Sequence, residues 1–481
     1  MATVQDNYIR QVIQMGDEGS RLLAARTAPT LKNCMYADVV QDGMNGIAVL
    51  RIPKKFNLVV HSASGDPNKE DLREHSLSLV DRLVEQSREF CAEPLCFANV
   101  IDSRTGDIGT LETISAALVE KANRYKIAIM NGENAILGSR INGKANVSGT
   151  MISIQPKEKL GVGRYGANHS EWMVVDHEGK PVYMNSDGVG TKTEFYERAG
   201  NFGLALADSA AMKLDDAVKK GAKPLVIADV IETKGDIPIS DIAAYVNLLM
   251  KRVGVPYLIT YEAVGNRLQG YSEEADAYNV SGSVVSVIDE ERLRNPPEPH
   301  VGEFLVTMRG KPNPRSNGIT DKRKAMIEFF GEDWHKTRVG KIFLDYLAQP
   351  STVLFPVFNE LLEQHLATSF YHMSGGAYNG KLARPIAKHD LFVKIDNLFE
   401  PDWRELFFVG VSSTTPEVAY SKWPMGNDGF ITTSSPDQAI KVIQKHDLEA
   451  RVVGKLERAT NDKSGVELRA FNGTSVYFPG K

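Results

Sequence analysis

The sequence predicts an α+β protein in which an N-terminal α/β sheet domain is duplicated and a C-terminal α+β domain follows. Two internal matches predict the duplication. Residues 91–101 (CAEPLCFANVI) and 221–231 (GAKPLVIADVI) are identical at six of eleven positions. The tetrapeptide NVSG occurs at 146–149 and again at 279–282. Self-similarity over this length indicates a copied domain and not a short structural repeat.

A charged, proline-rich run at 291–299 predicts a linker after the second copy. The chain beyond this linker has no evident copy upstream. The predicted domains are an N-terminal arm 1–22, a first copy 23–155, a second copy 156–292 and a C-terminal domain 300–481.

Strands and helices are predicted to alternate in the second copy, which is typical of layered α/β or α+β domains. A helix is predicted where apolar residues recur at spacings of three and four, and Gly221 is a natural end for it. This apolar stripe consists of Leu204, Ala207, Ala211, Leu214 and Val218. The other predicted elements of this copy are strands at 181–184, 224–231, 256–260 and 280–288 and a helix near 238–253. The predicted strands of the C-terminal domain are 303–308, 429–433, 450–454 and 466–471.

The composition narrows the class of protein. The chain carries 56 basic and 61 acidic residues and a net charge of −5, so no basic surface for duplex nucleic acid is expected. Three cysteines without a C-x-x-C spacing predict neither disulfide staples nor structural zinc and favour a reducing compartment. No signal peptide and no apolar run long enough for a membrane span are expected. A cytoplasmic protein is therefore predicted.

A glycine-rich stretch follows the first predicted strand of the second copy. It reads DGVGTK from Asp187 to Lys192. Glycines permit positive φ and close approach of the backbone, and successive N–H groups in such a turn suit a phosphate. Asp187 is then a candidate metal ligand and Lys192 a candidate phosphate partner. The alternative is a glycine hairpin with a solvated acid and base, because short glycine motifs match often by chance.

Further motifs occur in the same order as in a known family. These are Asp187–Lys192, Asp215-Asp216 before Gly221-Ala222-Lys223-Pro224-Leu225, Ala228-Asp229, Glu262, Ser316-Asn317-Gly318, His372 with Gly375-Gly376, and Met425–Gly429. In these motifs residues 165–481, and more weakly 23–155, resemble the aminoimidazole ribonucleotide synthetases, which are phosphoribosylformylglycinamidine cyclo-ligases. The C-terminal domain is accordingly expected to be of the aminoimidazole ribonucleotide synthetase type.

The resemblance implies an ATP- and Mg²⁺-dependent enzyme of purine biosynthesis. It would cyclise formylglycinamidine ribonucleotide, a small phosphorylated ribonucleotide, after phosphorylating its amide oxygen. The implied catalytic residues are Asp187, Lys192 and His372. The implied nucleotide- and phosphate-binding residues are Gly188, Gly190, Thr191, Asp216, Ser316, Asn317, Gly318, Gly375 and Gly376. The implied metal ligands are Asp187, Asp216, Asp229 and Glu262. Relatives pair two such domains, so the duplication implies an internal pseudo-dimer and leaves further oligomerisation open.

The first copy lacks three of the candidate metal acids of the second and keeps only Glu133, opposite Glu262. The stretch 62–66 stands opposite the glycine motif without a matching lysine, while Gln86 and Asn99 stand opposite Asp216 and Asp229. Loss of these acids would abolish a magnesium site, so the first copy is predicted to be a non-catalytic partner domain.

Other departures fall on elements expected near the substrate. Arg315 replaces a histidine, Tyr261 stands where a glycine pair is usual, and the glycine-rich stretch 161–166 is a candidate replacement for the usual entry segment. An arginine suits a different anionic group. Two alternatives therefore stay open: a related ATP-dependent enzyme with another substrate, and a catalytically silent nucleotide-binding or assembly protein.

Overall fold

The computed structural model describes residues 18–42, 48–158, 172–412 and 414–480. They divide into two compact units. The N-terminal unit contains the described residues of 18–213 together with 222–294. The C-terminal unit contains 214–221 and the described residues of 295–480. The predicted copies 23–155 and 156–292 thus fall almost entirely in one unit, and the predicted domain 300–481 falls in the other.

The N-terminal unit is built on two mixed sheets. Its strands are β1 (Asp38–Asp42), β2 (Ala48–Arg51), β3 (Phe56–Ser64), β4 (Glu93–Ser103), β5 (Ala128–Ile136), β6 (Ala145–Pro156), β7 (Met173–Val175), β8 (Val182–Gly188), β9 (Ala222–Lys234), β10 (Tyr257–Ala263) and β11 (Ala277–Ile288). One sheet has the order β5-β4-β6-β3-β7 and the other β1-β2-β8-β11-β9-β10. Apolar residues of both sheets form a common buried cluster, which includes Val60, Ala98, Met184, Val226 and Val285.

Helices cover the outer face of the five-stranded sheet. The helices of the N-terminal unit are α1 (Leu72–Glu89), α2 (Ile108–Tyr125), α3 (Thr193–Ala199), α4 (Ala205–Lys219, whose last turns group with the other unit), α5 (Ile239–Val253) and α6 (Glu290–Arg294). Asp71 caps α1 by accepting a hydrogen bond from the Glu74 backbone N–H, and Asp107 caps α2 in the same way. The apolar stripes of α1 and α2 pack on β4, with Leu83, Leu118 and Phe97 in one buried cluster.

The two sheets share a four-strand arrangement. In the order β5-β4-β6-β3 the first pair is parallel and the others are antiparallel, and the order β10-β9-β11-β8 has the same pattern. The registers agree as well. The glycine of NVSG at 149 pairs with Ala63 and Asn99, and its counterpart Gly282 pairs with Asp187 and Asp229.

The C-terminal unit contains a seven-stranded sheet with surrounding helices. Its strands are β12 (Phe304–Arg309), β13 (Ser369–His372), β14 (Leu391–Ile395), β15 (Gly429–Thr433), β16 (Glu449–Arg458), β17 (Gly465–Arg469) and β18 (Ser475–Phe478), in the order β13-β15-β12-β16-β14-β17-β18. Its further helices are α7 (Ile319–Phe330), α8 (Arg338–Leu347), α9 (Phe355–Glu363), α10 (Arg384–Lys388), α11 (Trp403–Val411), α12 (Pro416–Lys422) and α13 (Pro436–Lys445).

The mixed α+β class is confirmed, as are the predicted strands and helices of the second copy. The strand predicted at 181–184 continues to Gly188, because Asp187 and Gly188 pair with Gly282 and Ser281 in the sheet. The first half of the glycine motif is therefore strand and not turn. The predicted replacement segment 161–166 lies outside the described residues. No helix in the described part of the chain is long and apolar enough to cross a membrane.

Candidate functional site

The glycine motif forms the junction between β8 and α3. The Asp187 carboxylate accepts a hydrogen bond from the Gly188 backbone N–H at 2.7 Å, and its side chain is half-buried. A single 3₁₀ turn, Gly190–Lys192, then leads into α3. Gly190 has a φ of +66°, and a side chain added there would meet nothing within 4 Å. Space therefore exists beside this junction for a group outside the protein, and positive φ explains the glycine.

Lys192, the predicted phosphate partner, lies inside the N-terminal unit. The side chain is fully buried in the N-terminal unit, and Nζ donates to Asp208 Oδ1 at 2.9 Å. Tyr196 also donates its hydroxyl to Asp208, and its ring centroid lies 5.6 Å from Nζ. A buried lysine needs such a counter-ion, because an unpaired charge in the core is costly. The motif lysine therefore ties α3 to α4 in this structure.

Asp229 is likewise engaged by protein groups. Its carboxylate forms an ion pair with Lys213 and accepts hydrogen bonds from Ser209 Oγ at 2.7 Å and from the Tyr257 hydroxyl at 2.5 Å. All of these groups are buried. Three donors on one carboxylate leave little capacity for a cation. Asp229 is therefore held by three protein donors, and its role as a magnesium ligand stays a prediction.

The remaining predicted metal ligands are not gathered into one cluster. Glu262 forms a two-pronged ion pair with Arg82, whose Nη2 lies 2.8 and 3.0 Å from the two carboxylate oxygens. Asp216 belongs to the C-terminal unit. Within the described residues, no group of three or more His, Cys, Asp or Glu side chains is arranged to hold a metal. Glu262 is thus already paired inside the N-terminal unit, and its role as a metal ligand stays a prediction, as do those of Asp187 and Asp216.

His372 lies between two carboxylates in the C-terminal unit. It ends β13 and is buried, with Nε2 at 3.1 Å from Asp216 Oδ1 and Nδ1 at 3.6 Å from Asp215 Oδ2. The Ser374 hydroxyl lies 3.3 Å from Nε2. The sequence prediction for His372 and Asp216 is supported in that the structure brings these two side chains together.

The pKa values of the two carboxyls are shifted in opposite directions. Burial raises the pKa of Asp215, and the nearby His372 and Arg315 only partly oppose this effect. Burial also raises the pKa of Asp216, but Lys219, His372 and Lys381 outweigh it and hold that pKa well below its usual range. Asp216 is therefore the ionised partner of the imidazole at neutral pH.

Arg315 corrects the interpretation that it reads an anion of the substrate. Its side chain is buried, and its guanidinium donates to the Thr352 carbonyl at 3.1 Å and to Asp215 Oδ2 at 3.4 Å. Asp428 lies 3.7 Å from Nη1. The arginine thus bonds to acceptors inside the C-terminal unit and holds Asp215 next to His372.

The Ser316–Gly318 turn contacts the segment after His372. Asn317 Nδ2 donates to the Met373 carbonyl at 3.3 Å. The hydroxyl of Ser316 and the Oδ1 atom of Asn317 are buried and have no hydrogen-bond partner among the described residues. Gly318 has a φ of +60°, and any side chain there would overlap the indole of Trp423. Two unpaired polar atoms in one turn indicate a place where a ligand completes the hydrogen bonding.

The glycine pair after His372 is open. Gly375 is exposed, and a side chain added there would meet nothing within 4 Å. Gly376 has a φ of +83° and is followed by a π-helical segment, Tyr378–Ala383. Such segments occur often at functional sites. Free space therefore lies beside this second predicted phosphate loop. In the first motif, by contrast, the Lys192 side chain is buried.

Sequence reasoning missed several residues of these clusters and also two buried acids of the N-terminal unit. They are Asp208, Lys213, Arg82, Asp102 and Glu232. Asp208 and Lys213 lie on a helix whose acids and bases look like ordinary surface residues in sequence. The one available signal was the repeat itself, since Asp102 and Glu232 occupy matching positions of the two copies.

Comparison with known proteins gives a partial match. Residues 170–291 match the model of the AIR synthase related protein N-terminal domain family. The phosphoribosylformylglycinamidine cyclo-ligase of Methanococcus maripaludis (strain C7) is 26% identical over 286 residues, which cover 58% of this chain and 78% of that protein. The Prochlorococcus marinus (strain MIT 9312) cyclo-ligase is 25% identical over 308 residues, covering 62% and 86%.

Solved structures show more distant similarity. Phosphoribosylformylglycinamidine synthase II of Thermotoga maritima has a TM-score of 0.38 and 17% identity, with 63% of this chain covered. This chain spans only 44% of the length of that protein. Thiamine-monophosphate kinase of Stenotrophomonas maltophilia has a TM-score of 0.44 and 10% identity, covering 65% of this chain and 93% of the kinase.

Proposed function

We propose that the chain is an ATP-dependent enzyme that cyclises formylglycinamidine ribonucleotide to aminoimidazole ribonucleotide. The family match of residues 170–291 and the similarity to cyclo-ligases support this activity. The observation that carries the proposal is the acid–imidazole pair of Asp216 and His372, next to the unpaired polar atoms of Ser316 and Asn317. The proposed cytoplasmic location accords with three free cysteines.

The proposed chemistry assigns a proton-transfer role to His372. Phosphorylation of the amide oxygen activates the carbon, and ring closure through nitrogen then releases phosphate and a proton. An imidazole held by an ionised carboxylate can take up this proton, because Asp216 stabilises the resulting imidazolium. Arg315 and Asp215 hold the other side of the ring and act as positioning residues.

Asp187 is the proposed acid on the nucleotide side. It is half-buried beside the open position at Gly190, so a metal-bound phosphate has room there. Magnesium binding by Asp187 belongs to the proposal, whereas Lys192 and Asp229 serve the internal ion pairs described above.

We also propose that the N-terminal unit arose by duplication and acts as an internal pseudo-dimer. The equal strand orders and registers of its two sheets support this origin. Ser148 Oγ and Ser281 Oγ, which occupy matching positions in the two NVSG motifs, lie 2.7 Å apart. Contact between matching residues is what a pseudo-twofold axis requires.

Two observations favour alternative functions. Burial of Lys192 removes a cation expected at an ATP phosphate, which fits a silent nucleotide-binding or assembly protein. Arg315 bonds to Asp215, and Tyr261 stands where the resembled family has a glycine pair. Both residues lie in elements expected near the substrate, so these differences fit a related enzyme with another substrate.

The decisive experiment is ADP release from Mg²⁺-ATP with and without formylglycinamidine ribonucleotide. We expect release that requires this ribonucleotide and that falls roughly 100-fold or more in His372→Gln, the usual cost of losing a general base. Asp187→Asn, which retains an oxygen for the Gly188 N–H, is expected to weaken ATP binding.

His365→Gln is the matched control, because His365 is exposed. Its rate should equal that of the wild type. ATP binding without ribonucleotide-dependent release would favour another substrate. Absence of ATP binding would favour the silent protein.

A further inference from the structure

Two acids are buried in the N-terminal unit without a basic partner. Asp102 near the end of β4 is 2% exposed, and Glu232 near the end of β9 is 0% exposed. Among the described residues the Asn279 amide donates to both acids, with Nδ2 2.7 Å from Asp102 Oδ2 and 3.2 Å from Glu232 Oε2, and Asn146 also hydrogen-bonds to Glu232. One amide nitrogen thus bridges the two carboxylates.

Further oxygen atoms of this cluster are left unpaired. Asp102 Oδ1 and Asn279 Oδ1 are buried and accept no hydrogen bond from the described residues. A buried acceptor without a donor is costly, so two of them beside a pair of carboxyls mark a candidate place for a counter-charge.

Two arginines of this unit, Arg82 and Arg267, serve other groups. Arg82 is paired with Glu262 and also donates to the Ser64 carbonyl at 2.6 Å. Arg267 donates to the backbone carbonyls of Pro67, at 3.1 Å, and of Lys69. Neither arginine forms an ion pair with Asp102 or Glu232, so these two carboxyls are neutralised by protons or by a bound cation.

We propose that Asp102, Glu232 and Asn279 form a binding site for a hard divalent cation. Two carboxylates balance the charge of one such ion, and carboxylate and amide oxygens are the ligands that Mg²⁺, Ca²⁺ and Mn²⁺ prefer. A half-turn of the Asn279 amide replaces its bridging nitrogen by Oδ1, which then faces the same point as both acids. The rotation supplies the third ligand and uses the oxygen that is unpaired without the ion.

The position of the site in the sheets accounts for the repeated NVSG motif. Asp102 pairs across the sheet with Asn146, the first residue of one motif, and Glu232 pairs with Asn279, the first residue of the other. The cation would therefore lie where corresponding strand positions of the two sheets meet. The set contains none of the residues proposed for the nucleotide site.

The electrostatics of the cluster agree with this assignment. Burial, with a contribution from Asp187, raises the pKa of Asp102 to about 7. Burial and the negative charge of Asp102 raise the pKa of Glu232 to about 8, and Glu262 adds to this effect. Both carboxyls thus resist ionisation without a counter-charge, which a divalent ion provides.

The test uses the full chain without nucleotide and with Mn²⁺ as the probe. After gel filtration, the wild-type protein is expected to retain about one Mn²⁺ per chain, and EDTA should lower its thermal unfolding midpoint. Asp102→Asn and Glu232→Gln preserve side-chain shape and are expected to weaken Mn²⁺ binding roughly 10-fold or more.

Asp236→Asn is the control, because it removes an exposed acid four residues from Glu232 and should leave Mn²⁺ binding unchanged. Circular dichroism and elution volume verify that each variant is folded. Retention of Mn²⁺ by both amide variants would overturn the proposal. A wild-type chain that binds no Mn²⁺ and shows no response to EDTA would also overturn it and assign shared protons to the pair. ATP is absent throughout, so neither result depends on the proposed cyclo-ligase activity.

Discussion

His61 shows how a single buried side chain makes stability depend on pH. It lies in β3 with Nε2 at 2.9 Å from Ser87 Oγ and Nδ1 at 3.2 Å from Gln86 Oε1. Burial lowers its pKa from 6.5 to about 4, although the hydrogen bond with Gln86 opposes this shift. The folded chain therefore keeps this imidazole neutral in a range of pH where the unfolded chain protonates it.

The first prediction follows from this difference. Between the two pKa values the unfolded state binds more protons, so the free energy of unfolding falls as the pH is lowered. We expect His61 to account for a loss of about 2 kcal/mol between pH 7 and pH 5. His61→Asn, which introduces the residue found at the matching position 185, should flatten this dependence in denaturant titrations at several pH values. An unchanged slope in this variant, with exposed His365→Gln as control, would contradict the assignment.

Residue-scale chemistry was only partly predictable. The sequence identified Asp187 and His372, because short motifs mark them. It assigned Lys192 to phosphate and Asp229 to metal, yet Asp208 and Lys213 pair with them. These partners lie sixteen residues away from each predicted residue, in sequence that carries no distinguishing pattern. Pairing of buried charges is decided by tertiary packing, and a single sequence does not record it.

Among the secondary-structure elements, strand contacts distinguish the two NVSG motifs. Gly282 lies between β8 and β9, and an added Cβ would collide with the Ala228 carbonyl and approach Asp229 Oδ1 to 2.5 Å. At Gly149, which holds the same register position in the other sheet, the nearest atom would be the Ala98 carbonyl at 3.1 Å. The same glycine therefore has a stricter steric requirement in the six-stranded sheet.

The second prediction compares these two glycines. Gly282→Ala should cost about 3 kcal/mol or more, because backbone and the Asp229 carboxylate, itself tied to Lys213, must move. Gly149→Ala, the matched variant, should cost about 1 kcal/mol, since flexible leucine side chains supply its other contacts. Denaturant unfolding of the two variants measures the difference. Equal losses would show that the Asp229 cluster does not fix the strand spacing.

Element prediction succeeded where periodicity was strong. The stripe from Leu204 to Val218 gave helix α4, and Gly221 follows with a φ of +74°. The end of β8 was placed too early, because glycines were interpreted as turn residues although Gly188 pairs with Ser281. A glycine widens the set of conformations that the backbone can adopt, whereas hydrogen bonding to a neighbouring strand decides which conformation forms.

On the scale of the whole molecule, the assignment of residues to the two units could not be predicted from sequence periodicity. The order of the predicted domains agrees with the two units in outline. Residues 214–221, however, group with the C-terminal unit, and this places Asp215 and Asp216 against His372. An apolar stripe predicts only the helix on which it lies. The grouping of residues 214–221 with the C-terminal unit could therefore not be predicted from the sequence.

The last prediction concerns the number of nucleotide sites per chain. At the positions that hold Asp187 and Asp229 in the six-stranded sheet, the five-stranded sheet has Ala63 and Asn99, so only the six-stranded sheet carries acids at these two positions. Titration calorimetry with a non-hydrolysable ATP analogue and Mg²⁺ should therefore give a single site per chain. Asp187→Asn should weaken it, whereas Asp66→Asn in the first copy should not. A second site that survives Asp187→Asn would mean that the first copy binds nucleotide without these acids, and that its loss of carboxylates altered chemistry and not binding.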